Sequence, residues 1–458
     1  MKGVSTEQGR AGQSTVEVLV AILILATAFS GAILVIFGGQ SLIQDAGESS
    51  RALRLARENL EETAVLAKTG FAAIASASST RDGFVLETLV EDIAERTKRI
   101  TSRVSWDASP LRVRSEELVT LVTDWYAVVQ SGGDTGGGSV SGDWQNPRTL
   151  GSVDLGPGVS ATDLDVMDKI VYLSADASDP KKHDFFIVDA TNGLAPAIIG
   201  SFSTGPGLNA VDAIQDYAFA AGQETNNELV VIDVRNRNAP ALLTSFALPG
   251  ISGNSEGRTV FYLGGKIFIG TNKATGPEFH AVDVSDPANP SALGAYEVNE
   301  NVNDIHVDGN LAYLATDKEG AGLLILDVSD PSNITLAGQS YLDDANAVWN
   351  AVPGLTLLGP DYSFALASTT DPGAIVPLGS IAAGGTVNDI VSRDYLAFIG
   401  TSDSNREFQV VNISSSTSPV LHSSFNFPQV ATGVDYEDNL VYVSVRSNDA
   451  LRIITSSP

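Results

Sequence analysis

Hydrophobic residues follow three different patterns along this chain of 458 residues. Residues 18–37 form a run of twenty residues without a charge. As a helix rising about 1.5 Å per residue, this run matches the roughly 30 Å hydrocarbon layer of a membrane. Residues 41–70 carry apolar side chains near helical spacing and no proline, which predicts an amphipathic continuation of that helix. From residue 146 onward, short apolar runs alternate with polar turns, a pattern typical of β-strands.

The strand pattern after residue 146 repeats itself. "VNDIHVDGNLAYLATDKEGAGLLILDVSDPSN" (302–333) and "VNDIVSRDYLAFIGTSDSNREFQVVNISSSTS" (387–418) share the same order of apolar strands, polar turns and an Asp- or Asn-rich final turn. The repeats begin near residues 161, 208, 257, 302, 345, 387 and 431, so their period is 42 to 49 residues. Several short strands in a period of this length predict the blades of a β-propeller.

The last repeat indicates how the propeller closes. Residues 431–458 supply only three strands before the chain ends, whereas residues 146–156, "NPRTLGSVDLG", match the missing outer strand. An N-terminal strand that completes the last blade closes the ring and removes an exposed sheet edge. We therefore predict a mainly β chain whose residues 146–458 form a seven-bladed β-propeller.

A smaller module and a linker are predicted between the helix and the propeller. Residues 71–130 contain two alternating segments, 98–107 and 111–125, on either side of Ser109-Pro110, which predict a small β-hairpin. Residues 131–145 begin with "SGGDTGGGSVSGD", a composition typical of a flexible linker with a reach of roughly 20 Å.

Gly12 is followed by Gln13, Ser14, Thr15, Val16 and Glu17, and the apolar run begins directly afterwards. This order of residues resembles the leader of type IV prepilins and pseudopilins. The resemblance implies that 1–12 is a leader, that a prepilin peptidase cuts between Gly12 and Gln13, and that 13–70 is a pilin-like N-terminal helix. It also implies that Glu17 is the assembly residue. The hairpin module is similar to that of PilV-like minor pilins. At the first mature position, where the family usually has phenylalanine and carries the methylation motif, this chain has glutamine.

Electrostatics gives Glu17 a reason to stand in an apolar helix. Cleavage creates a positive α-amine at the edge of the bilayer, and a carboxylate of a neighbouring subunit attracts it strongly at low dielectric. Either charge is costly to bury alone. The alternative is that Glu17 only reaches back to the membrane surface.

The phrases "LLILDVSDPSN" and "HAVDVSDPANPSALG" resemble the LVIVD repeat family, which implies a propeller for most of 146–458. The DVSDP segments 283–287 and 327–331 also invite a calcium interpretation. We expect them to be structural turns instead, because Asp caps its own backbone and Pro presets the turn. The EF-hand spacing is absent from them.

The charge of the chain argues against some classes of partner. Residues 1–145 hold 13 Lys and Arg against 18 Asp and Glu, a net charge of −5, and residues 146–458 hold 14 against 37, a net charge of −23. So acidic a propeller repels nucleic acid and anionic lipid. The chain has no cysteine, its four histidines lack metal-ligand spacing, and it carries neither a G-x-S-x-G nor a P-loop motif. We expect no catalytic residues, no metal and no cofactor.

One set of polar residues is a candidate ligand site. One position at the start of each repeat is always a polar residue, and the position that follows it is Asp in three of the repeats. In a propeller these positions begin the innermost strands, which predicts a ring at one mouth of the central channel able to take a cation or a sugar: Asp163, Asn209, Asn303, Asp304, Asn388 and Asp389. The simpler interpretation, which the sequence favours, is that they cap turns and face channel water.

Together these patterns predict a type IV pilin-like surface protein that carries a propeller for adhesion or binding. Its partners would be other pilin subunits, the prepilin peptidase, the membrane and an unidentified surface ligand. Because Lys2 and Arg10 precede the span, the N-terminus stays inside and the propeller lies outside the cytoplasmic membrane. The alternatives are a signal-anchored binding protein that never enters a filament and an enzyme acting on surface polysaccharide.

Overall fold

The computed structural model describes residues 47–60, 63, 74–81, 83–94, 97–109, 112–123, 140, 142–177, 179–340, 342 and 344–456. The predicted leader, the predicted span 18–37, Gly12, Gln13 and Glu17 lie outside the described residues. Within the described residues, no helix combines the length and the apolar character that crossing a membrane requires. The chain divides into two compact units, Met1–Asp124 and Trp125–Pro458.

The first unit packs a helix on a four-stranded antiparallel sheet. Residues 47–60 and 63 are helical. The sheet has the order β1-β2-β3-β4, with strands β1 (Ala77–Arg81), β2 (Phe84–Ala94), β3 (Thr97–Ser109) and β4 (Arg112–Thr123). Its core holds Ala52, Leu55 and Ala56 of the helix against Phe84, Leu86, Val104 and Trp106 of the sheet. The predicted hairpin is confirmed as β3 and β4.

Strands β1 and β2 of this unit were not predicted. In β2 the buried register contains the polar Thr88 besides Phe84 and Leu86, while Val85 and Leu89 are exposed. Neither face of β2 is therefore uniformly apolar or polar, so its sequence does not show a clear strand alternation. Tertiary contacts compensate, because the amide of Asn59 donates hydrogen bonds to Thr88 Oγ1 at 2.8 Å and to Ser102 Oγ at 2.9 Å.

The described residues of the second unit form seven four-stranded antiparallel sheets. Its first strand is β5 (Arg148–Asp154). Sheet 1 contains β6 (Val159–Met167), β7 (Ile170–Ala177), β8 (Phe185–Asp189) and β9 (Ala197–Phe202). Sheet 2 contains β10 (Leu208–Ala213), β11 (Tyr217–Gly222), β12 (Leu229–Asp233) and β13 (Ala241–Phe246). Sheet 3 contains β14 (Gly257–Leu263), β15 (Lys266–Thr271), β16 (Phe279–Asp283) and β17 (Ser291–Tyr296).

The remaining four sheets follow the same order. Sheet 4 contains β18 (Val302–Asp308), β19 (Leu311–Thr316), β20 (Leu323–Asp327) and β21 (Thr335–Gln339). Sheet 5 contains β22 (Ala345–Val352), β23 (Leu355–Pro360), β24 (Ser363–Ser368), the 3-10 turn Pro372–Ala374 and β25 (Val376–Ala382). Sheet 6 contains β26 (Val387–Arg393), β27 (Leu396–Thr401), β28 (Phe408–Asn412) and β29 (Val420–Phe425). Sheet 7 contains β30 (Ala431–Glu437), β31 (Leu440–Val445), β32 (Asp449–Thr455) and β5.

The predicted donation of an N-terminal strand to the last repeat is confirmed. Strand β5 pairs antiparallel with β32, from Thr455 opposite Arg148 to Asp449 opposite Asp154. The first strands of the seven sheets touch one another in chain order, and β30 of sheet 7 returns to β6 of sheet 1. The sheets are thus arranged as in a β-propeller, with their first strands innermost.

The hydrophobic core lies between neighbouring sheets. Each of the seven pairs of neighbours shares one apolar cluster, including the pair that joins the end of the chain to its beginning, where Leu451 and Ile453 meet Val171 and Leu173. The second and third strands are covered on both faces, which explains their continuous apolar runs. The outermost strands are half-exposed, and their sequences mix apolar and polar residues.

Candidate functional site

A β-bulge opens the innermost strand of six sheets. The pairing of β6 with β7 skips one residue between Ala161 and Asp163, and the same skip recurs at the start of β10, β14, β18, β26 and β30. The skipped residues are all polar: Thr162, Asn209, Arg258, Asn303, Asn388 and Thr432. Because a bulge re-aims its side chain, this pattern frees one polar group per sheet from the strand alternation.

These side chains meet at one mouth of the channel. They line a cavity of about 350 Å³, together with Asn346 of sheet 5, Glu256 and Arg446. Several of them also link neighbouring sheets. Asn209 Nδ2 donates to Gly257 O at 2.7 Å, and Asn303 and Asn388 donate in the same way to Ala345 O and Ala431 O. The mouth is therefore a built ring whose side chains hold fixed positions.

A second cavity of about 130 Å³ lies in the channel next to this mouth; we call it the chamber. Residues that neighbour one another in sequence line the two cavities, as Asn303 does the mouth and Asp304 the chamber, so the cavities follow each other along the channel. Six carboxyl groups line the chamber: Asp163, Asp165, Asp212, Asp304, Asp389 and Asp435.

Each of these carboxyl groups accepts a backbone hydrogen bond from the next sheet. In one layer, Asp163, Asp304 and Asp389 accept from Val211 N at 3.0 Å, Val348 N at 2.8 Å and Val434 N at 2.6 Å. In the second layer, Asp165, Asp212 and Asp435 accept from Ala213 N at 2.8 Å, Tyr262 N at 2.6 Å and Val166 N at 2.8 Å. The aspartates thus tie innermost strands together.

The chamber disfavours the charged form of its carboxyl groups. Several of the aspartates keep some accessible surface where they face the cavity, but protein surrounds them on every other side. Burial raises the pKa of Asp163 to about 7, that of Asp212 to about 8 and that of Asp304 to about 6. Burial, followed by the charges of Asp212 and Asp435, raises the pKa of Asp165 well above its ordinary value.

Three aromatic residues line the other side of the chamber. Phe261, His306 and Trp349 come from sheets 3, 4 and 5, and the ring of His306 lies 5.2 Å from that of Phe261 and 4.6 Å from that of Trp349, between centroids. Burial lowers the pKa of His306 to about 4, so the imidazole is neutral at neutral pH.

The structure divides the predicted ring between the two cavities. Asn209, Asn303 and Asn388 line the mouth, whereas Asp163, Asp304 and Asp389 line the chamber. The second layer of the chamber was not predicted from the sequence: Asp165, Asp212, Asp435, Phe261, His306 and Trp349. The signal was available, because these residues lie two positions beyond the first layer in each strand and so share its face.

The DVSDP segments 283–287 and 327–331 form turns in the structure. The turn prediction is confirmed, since Asp283 Oδ1 accepts from Ser285 N at 2.8 Å and Asp327 Oδ1 accepts from Ser329 N at 2.9 Å. In the described part of the chain, no group of three or more His, Asp or Glu side chains is arranged to hold a metal ion.

Comparisons with known proteins bear on the second unit. The LVIVD repeat family matches residues 210–247, 274–298, 300–342 and 384–427. A chain of a crystal structure of the mitotic checkpoint complex is similar in fold, with a TM-score of 0.52 and 12% identity over 68% of this chain and 93% of that one. The WD40 beta propeller domain of Doa1 gives a TM-score of 0.51 and 12% identity over 68% of this chain and 97% of that one. A comparison with curated protein sequences finds no match. Four segments of the second unit therefore match the LVIVD repeat, and the unit is similar in fold to known β-propellers.

Proposed function

We propose that this chain is a binding protein whose seven sheets are the blades of one closed propeller, displayed at the cell surface by a pilin-like N-terminus. The observation that carries the binding role is the mouth cavity of about 350 Å³, lined by one residue of every sheet. Pockets that bind small ligands are largely formed in advance and place a few polar groups at fixed positions. The hydrogen bonds of Asn209, Asn303 and Asn388 to the next sheet supply that preorganisation.

The polar groups of the mouth suit an oligosaccharide ligand. Amides, hydroxyls and the two guanidinium groups of Arg258 and Arg446 can exchange hydrogen bonds with sugar hydroxyls, and the guanidinium groups can pair with a sugar carboxylate. Arg258 Nη2 already donates to Asn303 Oδ1 at 2.8 Å. Arg446 is exposed at the rim and is the residue to change first.

The binding role is tested with full-length protein in detergent on a panel of immobilised neutral and acidic oligosaccharides. We expect wild type to retain a subset of the panel and Arg446→Gln to lose acidic members of it. Lys181→Gln, which removes an exposed charge from a residue that does not line the mouth, is the matched control. Retention of no sugar, or equal retention by Arg446→Gln, contradicts a sugar site at this mouth.

Display through a filament rests on the N-terminal sequence. Gly12 and Glu17 match the prepilin pattern, whereas Gln13 stands where the family usually has phenylalanine. The helix packed on a small antiparallel sheet in the first unit is compatible with a pilin-like subunit. In this proposal other pilin subunits bind through the N-terminal helix, the peptidase cuts after Gly12, and the propeller lies outside the cytoplasmic membrane.

The mass of the N-terminal peptide of the native protein tests this route. A mature chain that begins at Gln13, and that fails to form in a Gly12→Leu variant, supports entry into the pilin pathway. A chain that still begins at Met1 instead supports the anchored alternative, in which the same propeller stays on the membrane and Glu17 has no role in assembly.

A further inference from the structure

The segment that joins β20 to β21 contains a sequon, the N-x-S/T pattern whose asparagine accepts N-linked sugars when the middle residue is not proline. This sequon consists of Asn333, Ile334 and Thr335. One other sequon, residues 412–414, stands in the chain. Because so short a pattern also arises by chance, its use depends on whether the fold presents the asparagine amide and the hydroxyl together.

The two polar residues of the first sequon lie on one face of the chain. Ile334 packs against the apolar cluster between sheets 3 and 4, whereas Asn333 and Thr335 are exposed. Thr335 is the first residue of β21, and side chains two positions apart point the same way where a chain is extended. Burial of the middle residue therefore turns the asparagine and the threonine outward together, where an enzyme can reach both from one side.

The amide of Asn333 is free to react. In the same turn of sheet 3, Asn289 Nδ2 donates to Asp286 Oδ2 at 2.8 Å, and the proline that follows it makes that triplet a non-acceptor. In sheet 4 the hydroxyl of Ser332 takes over the role, donating to Asp330 Oδ1 at 2.7 Å. Among the described residues, the side chain of Asn333 has no hydrogen-bond partner.

The second sequon is presented differently. Asn412 is the last residue of β28, which lies between β27 and β29 inside sheet 6. It is half-buried, and its Oδ1 accepts from Ser414 N at 2.9 Å. The fold therefore favours Asn333 over Asn412 as an acceptor.

The first sequon also lies away from the mouth. Strand β19 is antiparallel to β18, and β20 is antiparallel to β19, so β20 runs parallel to β18. Because β18 begins beside the mouth residue Asn303, the turn that follows β20 lies at the opposite end of sheet 4. A bulky sugar on this turn leaves the mouth open.

We propose that Asn333 is N-glycosylated, with a lipid diphosphate-linked oligosaccharide as the donor. Asn333 Nδ2 forms a bond to the anomeric carbon of the sugar, and the bond from that carbon to the phosphate oxygen breaks. The lipid diphosphate leaves with the electron pair, and a base of the transferase takes one proton from the amide. The inference rests on the proposed display outside the cytoplasmic membrane, where such transfer takes place, but it does not depend on sugar binding at the mouth.

Mass spectrometry of the full-length protein from its own cells tests the proposal. Endoproteinase Asp-N cuts before Asp330 and Asp343 and so releases Asn333 on the peptide 330–342. We expect this peptide to carry the added mass of at least one monosaccharide, and electron-transfer fragmentation to place that mass on Asn333. A peptide that is unmodified in every copy, or sugar on Asn412 alone, overturns the proposal.

Two substitutions of Thr335 separate recognition of its hydroxyl from an effect on the fold. Thr335→Ser keeps the hydroxyl, and we expect the sugar to remain. Thr335→Val keeps a β-branched side chain that suits β21 but removes the hydroxyl, and we expect the sugar to be lost although Asn333 is unchanged. Sugar that persists in Thr335→Val overturns the proposal.

Protease added to intact cells distinguishes failure of this proposal from failure of display at the surface. An unmodified propeller that the protease digests overturns glycosylation alone. An unmodified propeller that the cell protects from the protease overturns both glycosylation and display.

Discussion

Asp389 of β26 accepts the backbone N–H of Val434 in β30, with 2.6 Å between Asp389 Oδ2 and Val434 N. The two residues belong to neighbouring sheets, so this bond fixes the offset between two innermost strands. Asp163 and Asp304 make the same bond to Val211 and Val348. The aspartates of the channel therefore align the ring, whatever ligand they also meet.

Replacing Asp389 by alanine should destabilise the propeller, whereas replacing it by asparagine should not. Alanine leaves Val434 N–H buried without an acceptor, which costs about 1–3 kcal/mol. Asparagine keeps an acceptor oxygen and removes a charge whose burial already raises the pKa of Asp389. Thermal melting of the two variants beside wild type measures the difference. Equal melting temperatures for alanine and wild type contradict the aligning role.

The stability of the protein should fall as the pH rises from 6.5 to 8. An acid whose pKa is raised by folding binds more protons in the folded than in the unfolded state between the two values, so rising pH favours unfolding. Asp163, with a pKa of about 7, and Asp212, with a pKa of about 8, lose their protons in this window. Each contributes up to about 1.4 kcal/mol per pH unit.

The choice of window reduces an opposing effect. Burial lowers the pKa of His306 to about 4, so the folded state binds fewer protons than the unfolded state and rising pH stabilises the fold, until the unfolded histidine loses its proton around pH 6.5. Between pH 6.5 and 8 this contribution fades, and the aspartates dominate the change in melting temperature. The slope should be shallower in Asp212→Asn and unchanged in Asp327→Asn. A rising or flat wild-type curve contradicts the prediction.

The sequence predicted the repeated strands because each repeat obeys one local pattern. Fully covered second and third strands give continuous apolar runs, and the Asp and Pro of the turns act on their own backbone. The place of β5 followed from counting strands. The bulge at Asn209 and Asn303 could not be predicted, because it depends on how each innermost strand pairs with the next strand. The layer of Asp165, Asp212 and Asp435 was overlooked, although its spacing of two residues from the first layer could be seen in the sequence.

The predicted linker illustrates the same limit. Its composition is that of a flexible segment, yet residues 142–145 belong to the second unit, and Trp144 is fully buried there. One large aromatic residue among small ones is enough to order this end of the segment, because the area that it buries outweighs the entropy lost in ordering a few neighbours. No local pattern shows where that side chain docks.

Gly294 should not tolerate a side chain. A Cβ on this residue of β17 would overlap the carbonyl oxygen of Pro331, which belongs to the DVSDP turn of the next sheet, and would lie 3.2 Å from its carbonyl carbon. Gly294→Ala must therefore push two sheets apart, at a cost of about 1–3 kcal/mol. Thr244 holds the same register in β13 and already carries a side chain, so Thr244→Ala is the matched control. Urea unfolding compares the two variants, and equal midpoints contradict the close approach.

Trp144 should hold the closing strand in place. Its ring lies 4.8 Å from that of Phe398, between centroids, and its Nε1 donates to Asn439 Oδ1 at 3.3 Å. Trp144→Ala should cost about 3–5 kcal/mol, as large aromatic truncations in cores do. Because β5 begins only four residues later, at Arg148, loss of the anchor should also loosen its pairing with β32.

Limited proteolysis separates these two effects of Trp144→Ala. With the anchor gone, we expect cleavage within 140–156 at protease concentrations that leave wild type intact, since a frayed strand is cut before the rest of the ring unfolds. Leu194→Ala, which truncates a side chain that is 73% exposed, should be cut like wild type. If Trp144→Ala melts earlier but is cut first elsewhere, the tryptophan stabilises only the interface of sheets 6 and 7. Cleavage first within 140–156 instead makes it the anchor of the strand that closes the ring.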